Sequence, residues 1–252
     1  MVESGTLQTS LQNGVGTITF SHPKGNSLPG ELLRQIASQI DTFGSDDSVR
    51  ILLLQSEGER AFCAGASFDE LLAVSTLEES REFFSGFAKV ILAIRRCPKF
   101  VVARVQGKFV GGGVGVISAC DYALATESAL GKLSEIALGF GPFIIGPAVE
   151  RKIGKAAFSA MGIDAEWKDA LWCKEQGLFA EVYPDITSLD KALGELLSKL
   201  SEYNPEAIAR MKEILWEGTE HWEKLLSDRV EITANLAISE FVQAKVSSFK
   251  AQ

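Results

Sequence analysis

Gly107-Lys-Phe-Val-Gly-Gly-Gly-Val-Gly115 follows directly on the run Phe100–Val105, which reads as a buried strand, and leads into Val114–Ala119, which reads as a short apolar helix. A glycine-rich turn between strand and helix brings bare backbone to the strand end. The first N–H groups of a helix lack intrahelical partners and point outward, so such a turn can hold an anion. A second stretch of the same kind, Ala61-Phe-Cys-Ala-Gly-Ala-Ser67, follows the strand Ile51–Leu54 and the polar loop QSEGER. Two N–H groups converging on one oxygen would form an oxyanion hole, worth on the order of 3 kcal/mol per donor to a reaction that passes through an anion. A tight turn packed on a neighbouring element is the plain alternative. A dinucleotide-binding turn fails on spacing, because Gly111 and Gly113 are followed by Val116, and Gly113 and Gly115 by Ser118.

Outward from these turns the chain alternates between strand and helix. Val15–Phe20 has the apolar/polar alternation of a half-buried strand. Leu32, Leu33, Ile36, Ile40 and Phe43 recur at helical spacing, with Gly44 as a stop signal. A helix over Leu77–Arg96 and a strand over Asp121–Thr126 continue the pattern, which defines an α/β fold with ligands expected at strand-to-helix junctions. The sheet is expected to end near Val182–Tyr183. From Trp167 onward helices dominate, over Ser188–Leu200, Pro205–Trp216 and a long segment Thr219–Phe249. In that last segment Trp222, Leu225, Leu226, Val230, Ile232 and Leu236 form a stripe too broad for one helix to hide, so it needs the chain's own core or another subunit.

Composition narrows the function classes. With 46% apolar and 23% charged residues over 252 positions, the chain is globular. A net charge of −8 argues against a nucleic-acid footprint, which needs a basic face, but leaves anionic small ligands open. No apolar run approaches membrane-spanning length, and the opening MVESGTLQTSLQNG lacks a basic-then-apolar leader. Cys63, Cys97, Cys120 and Cys173 stand apart and read as reduced, buried residues of a cytoplasmic protein. The histidines, His22 and His221, are far apart in sequence, so neither a metal site nor a Ser-His triad is expected.

Several blocks, in order, resemble the enoyl-CoA hydratase/isomerase (crotonase) family: Gly16–Phe20 with His22-Pro-Lys-Gly-Asn-Ser27, Ala61-Phe-Cys-Ala-Gly-Ala-Ser-Phe-Asp-Glu70, Gln106-Gly-Lys-Phe-Val-Gly-Gly-Gly113, Ala119-Cys-Asp121, and Glu135-Ile-Ala-Leu-Gly139. The resemblance implies a crotonase-like spiral of ββα units with a C-terminal helical region, divided here as 1–190 and 191–252. The helical region would serve assembly as a homotrimer or a hexamer. It implies an acyl-CoA substrate, with no cofactor beyond the coenzyme A that the substrate carries. It maps the oxyanion donors onto the N–H groups of Ala66 and Gly112, with Gly65 and Gly111 beside them, places adenine-contacting backbone near Ala64, and sets Lys24 near the nucleotide phosphates. A lysine in an exposed loop can equally be simply solvated.

Hydratases of this family use two glutamates. Glu135 falls on the second, whereas the position of the first is Gly115, which with Gly65 and Gly111 is expected to contact the substrate. A glutamate between Leu133 and Ile136 in a partly apolar pocket would have its charged form disfavoured and its pKa moved toward that of a general base. One such base suffices to move a double bond, so isomerisation, or an atypical hydration, is the leading expectation. Asp69, Glu70 and Glu127 are conceivable substitutes for the missing carboxylate. Decarboxylation or thioester hydrolysis through the same enolate, and a non-catalytic acyl-CoA-binding or structural subunit, are the alternatives. In Pro142-Phe-Ile-Ile-Gly-Pro147, the bulky Phe143, Ile144 and Ile145 either shape the acyl pocket or belong to the core.

Overall fold

The computed structural model describes residues 5–250, so the first four residues of the opening segment lie outside it. The alternation over β2 (Val15–Ser21) buries Ile18 and Phe20 on one face. β1 (Thr6–Gln12) pairs with it antiparallel through a two-residue turn, Asn13-Gly14, in which both residues have positive φ (50° and 78°), as such hairpins require. The sequence reading does not contain β1, because Thr6–Gln12 is polar and largely exposed and shows no buried face.

After α1 (Gly30–Ser45) the chain winds in repeated turns, each made of two strands and helix. The first holds β3 (Ile51–Ser56), β4 (Ala61–Cys63), α2 (Phe68–Ala73) and α3 (Leu77–Arg96). The second holds β5 (Val101–Val105), β6 (Lys108–Val110) and α4 (Gly112–Ala119), and the third β7 (Tyr122–Thr126), β8 (Leu130–Lys132), α5 (Glu135–Leu138) and α6 (Gly146–Asp164). The chain then adds β9 (Lys168–Asp169), α7 (Ala170–Glu175), β10 (Glu181–Tyr183), α8 (Ile186–Ser201), α9 (Pro205–Leu215), α10 (Trp222–Ala237) and α11 (Glu240–Lys250). The first strand of each turn joins a six-stranded sheet, order β1-β2-β3-β5-β7-β10, which is parallel from β2 onward. The second joins a four-stranded sheet, order β4-β6-β8-β9, parallel from β4 to β8. This is the spiral of ββα units that the resemblance implies. Its consequence is positional: the carboxyl ends of β4, β6 and β8 lie side by side, and the chain leaves them at Ala64, Gly111 and Leu133.

The two faces of the large sheet are covered by different helices. α1 and α3 pack together over the main core. On the opposite face, Ile51, Leu53, Val102 and Leu124 meet Leu189, Leu193 and Leu197 of α8 and Ile208 of α9. The division expected at residue 190 therefore falls inside α8, a helix that belongs to the sheet's packing. The segment expected as one helix over Thr219–Phe249 breaks at Ile238-Ser239 into α10 and α11. Its apolar stripe is shared: Trp222, Leu226 and Val230 are buried in the chain's own core, where α10 packs on α3, whereas Ile232 and Leu236 are 41% and 36% exposed. Among the described residues no helix is long and apolar enough to cross a membrane.

The C-terminal helices are tied to the sheet by a buried ion pair. Asp121 accepts from the Val101 N–H (2.8 Å), from Lys212 Nζ of α9 (2.8 Å) and from Trp216 Nε1 (3.3 Å), and Lys212 also donates to the Lys99 carbonyl (2.7 Å). Both side chains of the pair are almost wholly buried. Removing one partner leaves an uncompensated charge in a low-dielectric setting, the expensive way to break such a pair. Asp121→Ala is therefore expected to lower the unfolding free energy by about 3–5 kcal/mol, read as the midpoint shift in a urea titration at unchanged slope. A loss well below 1 kcal/mol would mean that the anchor contributes little.

Candidate active site

A cavity of about 380 Å³ opens where the strand ends of the small sheet meet α3, α5 and the 140–145 loop. Ala64, Gly65 and Ala66 after β4, Gly111 and Gly112 after β6, and Glu135 after β8 all line it, as does Phe143. Ile144 and Ile145 line it as well, whereas Lys24, Gly115, Asp69, Glu70 and Glu127, also singled out from the sequence, do not.

The backbone donors follow from the local pairing. The Leu28 N–H donates to the Gly65 carbonyl (2.8 Å) and the Ser67 N–H to the Leu28 carbonyl (3.3 Å). That register, a single bridge between Leu28 and Ala66, passes over the Ala66 N–H, which has no partner among the described residues. Gly112 is the first residue of α4, where N–H groups have no intrahelical acceptor. Gly111 N–H, by contrast, is used in holding the turn to β8, donating to the Lys132 carbonyl (2.8 Å). Two free N–H groups on one apolar cavity can stabilise a negative oxygen.

The glycines here are demanded by their neighbours. Gly111 has φ +52°, and a Cβ on it would lie 2.9 Å from Glu135 Oε1. A Cβ on Gly112 would lie 2.1 Å from the Phe87 ring, and one on Gly115 would lie 2.4 Å from Ile145 Cγ2. Gly115 is therefore covered by Ile145, which lines the cavity in its place.

Glu135 opens the four-residue helix α5, with its carboxylate against Gly111. Its Oε2 is buried and has no hydrogen-bond partner among the described residues. Burial pushes the carboxyl up to about 7, partly opposed by the nearby backbone N–H groups of Glu135 and Ser134. Among the described residues it is the only carboxylate on the cavity wall. The conceivable substitutes are engaged elsewhere: Asp69 pairs with Lys24, Glu70 accepts from the Gly30 N–H at the start of α1 (2.8 Å), and Glu127 is exposed behind β7.

Lys24 sits in the turn 22–27, which is docked beside the cavity: Asn26 Nδ2 donates to the Glu57 and Ala61 carbonyls (2.8 and 2.9 Å), and the Ala64 N–H donates to the Gly25 carbonyl (3.0 Å). Its ammonium pairs with Asp69, outside the cavity wall. The sequence reading misses the aromatic wall, Phe83, Phe84 and Phe87 of α3 with Phe140. Phe84 meets Phe140 edge-on at 5.5 Å. The signal was present as three phenylalanines on one face of α3, but a core helix has the same pattern.

The fold and site define an α/β spiral whose strand ends build an apolar cavity with one raised carboxylate. The model of the enoyl-CoA hydratase/isomerase family matches residues 10–247, and the chain belongs to that family, whose members act on CoA thioesters. The 2,3-dehydroadipyl-CoA hydratase of Escherichia coli (strain K12) is 28% identical over 219 residues, covering 85% of this chain and 83% of that enzyme. The mitochondrial 3-hydroxyisobutyryl-CoA hydrolase of Gallus gallus is 28% identical over 231 residues, covering 86% of this chain and 59% of that enzyme. In structure, the enoyl-CoA hydratase from Bacillus halodurans superposes with a TM-score of 0.89 at 23% identity, covering 96% of this chain and 99% of that chain, a likeness of fold.

The buried carboxyl has a consequence for stability. Between an unfolded pKa of 4.5 and a folded one of about 7, the unfolded chain gives up its proton while the folded chain retains it, so stability falls as pH rises through this window. Glu135→Gln removes the penalty. The variant is expected to be more stable than the wild type at pH 8, by up to about 3 kcal/mol, with the gap closing toward pH 4.5. Urea titrations of both proteins at the two pH values check this. Equal gaps at both would mean the carboxyl is not raised.

Proposed function

We propose that the protein is an enoyl-CoA isomerase that moves a double bond between the 3,4 and 2,3 positions of an acyl thioester, with Glu135 as the only acid/base. The observation that carries this reading is the single raised carboxylate on a cavity wall that also presents the unpartnered N–H groups of Ala66 and Gly112.

The thioester carbonyl accepts from those two N–H groups. Glu135 takes the α proton, and the electron pair of that C–H bond runs into the carbonyl and the adjacent double bond to give a dienolate, its negative oxygen held by the two donors. The neutral carboxyl then returns the proton to the γ carbon, the enolate collapses, and the double bond stands in conjugation with the thioester. One proton leaves and one returns, so one group serves both transfers. Desolvation makes the carboxylate a stronger base, and protonating it removes a buried charge, which favours proton uptake at this site. Hydration would require, besides the base, a polar group to orient water at the β carbon, and the other carboxylates near in sequence lie off the cavity.

Ala64 and the Lys24 turn, bound to each other through backbone, are the proposed resting place of the coenzyme A nucleotide, with Lys24 exchanging Asp69 for phosphate. Assembly as a homotrimer or a hexamer belongs to the same proposal, with the exposed Ile163, Leu171 and Ile214 as apolar side chains that subunit contacts would cover. The four buried free thiols fit residence in the cytoplasm.

Incubation with 3-enoyl-CoA and 2-enoyl-CoA of several chain lengths, followed by mass spectrometry and ultraviolet absorbance of the conjugated thioester, tests the proposal. Double-bond exchange is expected, lost by roughly 10²–10⁴-fold in Glu135→Gln. In the wild type kcat/KM is expected to fall about tenfold per pH unit below about 7, as the base takes up its proton. Free coenzyme A release would point instead to thioester hydrolysis, loss of CO₂ from a carboxyacyl thioester to decarboxylation, and tight binding without turnover to a non-catalytic subunit. Undiminished turnover in Glu135→Gln would exclude the single-base scheme.

A further inference from the structure

Gly111 and Gly115 stand one helical turn apart at the start of α4, where the Gly115 N–H donates to the Gly111 carbonyl (3.3 Å). The two positions are covered by two different side chains. Over Gly111 lies the Glu135 carboxylate, and over Gly115 lies Ile145, whose Cγ2 and Cβ are 2.4 and 2.5 Å from where a Cβ on Gly115 would be. A helical turn rises about 5.4 Å, so a carboxylate and a branched hydrocarbon occupy neighbouring places on the same cavity wall. Ile145 is 4% exposed. Its backbone is held from both sides: its carbonyl accepts from the Val149 N–H (3.1 Å), and the next residue, Gly146, donates to the Pro142 carbonyl (2.8 Å). A β-branched side chain on a fixed backbone has few rotamers in which to move aside.

A water in a protein interior is held by about three polar partners. Ile145 and Ile144 line the cavity together with Glu135, Ile145 over the neighbouring turn of α4, and neither offers a donor or acceptor. Resting on the isomerase reading, we propose that Ile145 determines the reaction specificity of the site by occupying the place from which water would reach the β carbon. In hydration, the water oxygen forms the new bond at the β carbon, the double bond's electron pair takes a proton at the α carbon, and the elements of one water are added. In isomerisation no water is added: the α C–H bond of the 3-enoyl thioester breaks to give the dienolate, and the proton returns to form a C–H bond at the γ carbon. Ile145 blocks the first course and leaves the second open.

The test is a partition ratio. Wild type, Ile145→Ala and Ile145→Ser are incubated with 3-enoyl-CoA and 2-enoyl-CoA in H₂¹⁸O, and ¹⁸O-labelled β-hydroxyacyl-CoA is measured against double-bond exchange in the same sample. The ratio of hydration to isomerisation is expected to rise at least tenfold in both variants, more in Ile145→Ser, whose hydroxyl gives the water a partner. A general loss of packing lowers both rates without moving the ratio. Adding Gly115→Glu to Ile145→Ala is expected to raise the ratio further, whereas Gly115→Glu alone meets Ile145 and lowers thermal stability. Should the small variants misfold, Ile145→Val, a loss of one methylene, is expected to shift the ratio in the same direction by a smaller factor. A ratio unchanged in every folded variant, with normal isomerisation, overturns this inference alone. A wild type that exchanges no double bond, or already hydrates as fast as it isomerises, overturns the isomerase reading and this inference with it.

Discussion

A carboxylate with one oxygen unpaired inside an apolar cavity is costly to fold around, and the site depends on that cost being met at Glu135. The carboxyl is kept from relaxing outward by where it sits. It lies against Gly111, in the first turn of a helix too short to shield it, with aromatic rings of α3 across the cavity. Its proton affinity near neutrality is the direct result of that confinement. A better-solvated glutamate would be a weaker base. A glutamate paired with an arginine or lysine would be weaker still.

The spiral supplies this arrangement through repetition. Each turn brings one short strand of the small sheet to the same edge, so β4, β6 and β8 deliver Ala66, Gly112 and Glu135 without any long loop. The large sheet carries the bulk of the core and receives the C-terminal helices through Asp121 and Lys212. α11, whose Val242 and Val246 are buried, packs on α2 and α5, so the last helix braces the element that follows Ala66 and the one that holds Glu135. Stability and the geometry of the site therefore share parts, even though the ion pair itself lies away from the cavity.

Much of this was legible from residues alone, for definite reasons. The period-2 pattern of Val15–Ser21 and the helical period of α1 are imposed by one buried face each, and such faces are written in sequence. The two glycine- and alanine-rich turns were legible as places of close backbone approach, but a tight packed turn reads the same, and it was the resemblance that singled out the N–H groups of Ala66 and Gly112. What could not be read is what fills space across the fold. Gly115 looked like a lost carboxylate and a contact to substrate, and only the packing of α4 against the start of α6 shows Ile145 standing over it. The Phe83, Phe84 and Phe87 face of α3 is indistinguishable in sequence from an ordinary core stripe. β1 escaped notice because an exposed edge strand has no apolar rhythm to reveal it.

The glycine run itself takes on a different meaning once its neighbours are known. Of Gly107, Gly111, Gly112, Gly113 and Gly115, only Gly111 has a positive φ. The others have backbones that any residue adopts, and what forbids a side chain is another group: Arg60 carbonyl at Gly107, Phe87 at Gly112, Cys63 at Gly113 and Ile145 at Gly115. This run is therefore a packing hub, close to the opposite of a flexible loop. The strand end holding Cys63, the helix holding Phe87, the Glu135 carboxylate and the cavity residue Ile145 all bear on it directly. Groups in such mutual contact do not respond independently, so substitutions at Phe87, Cys63 and Ile145 should be non-additive with changes in the glycines they touch. The absence of side chains lets Phe87, Cys63, Glu135 and Ile145 approach the same stretch of backbone at the start of α4.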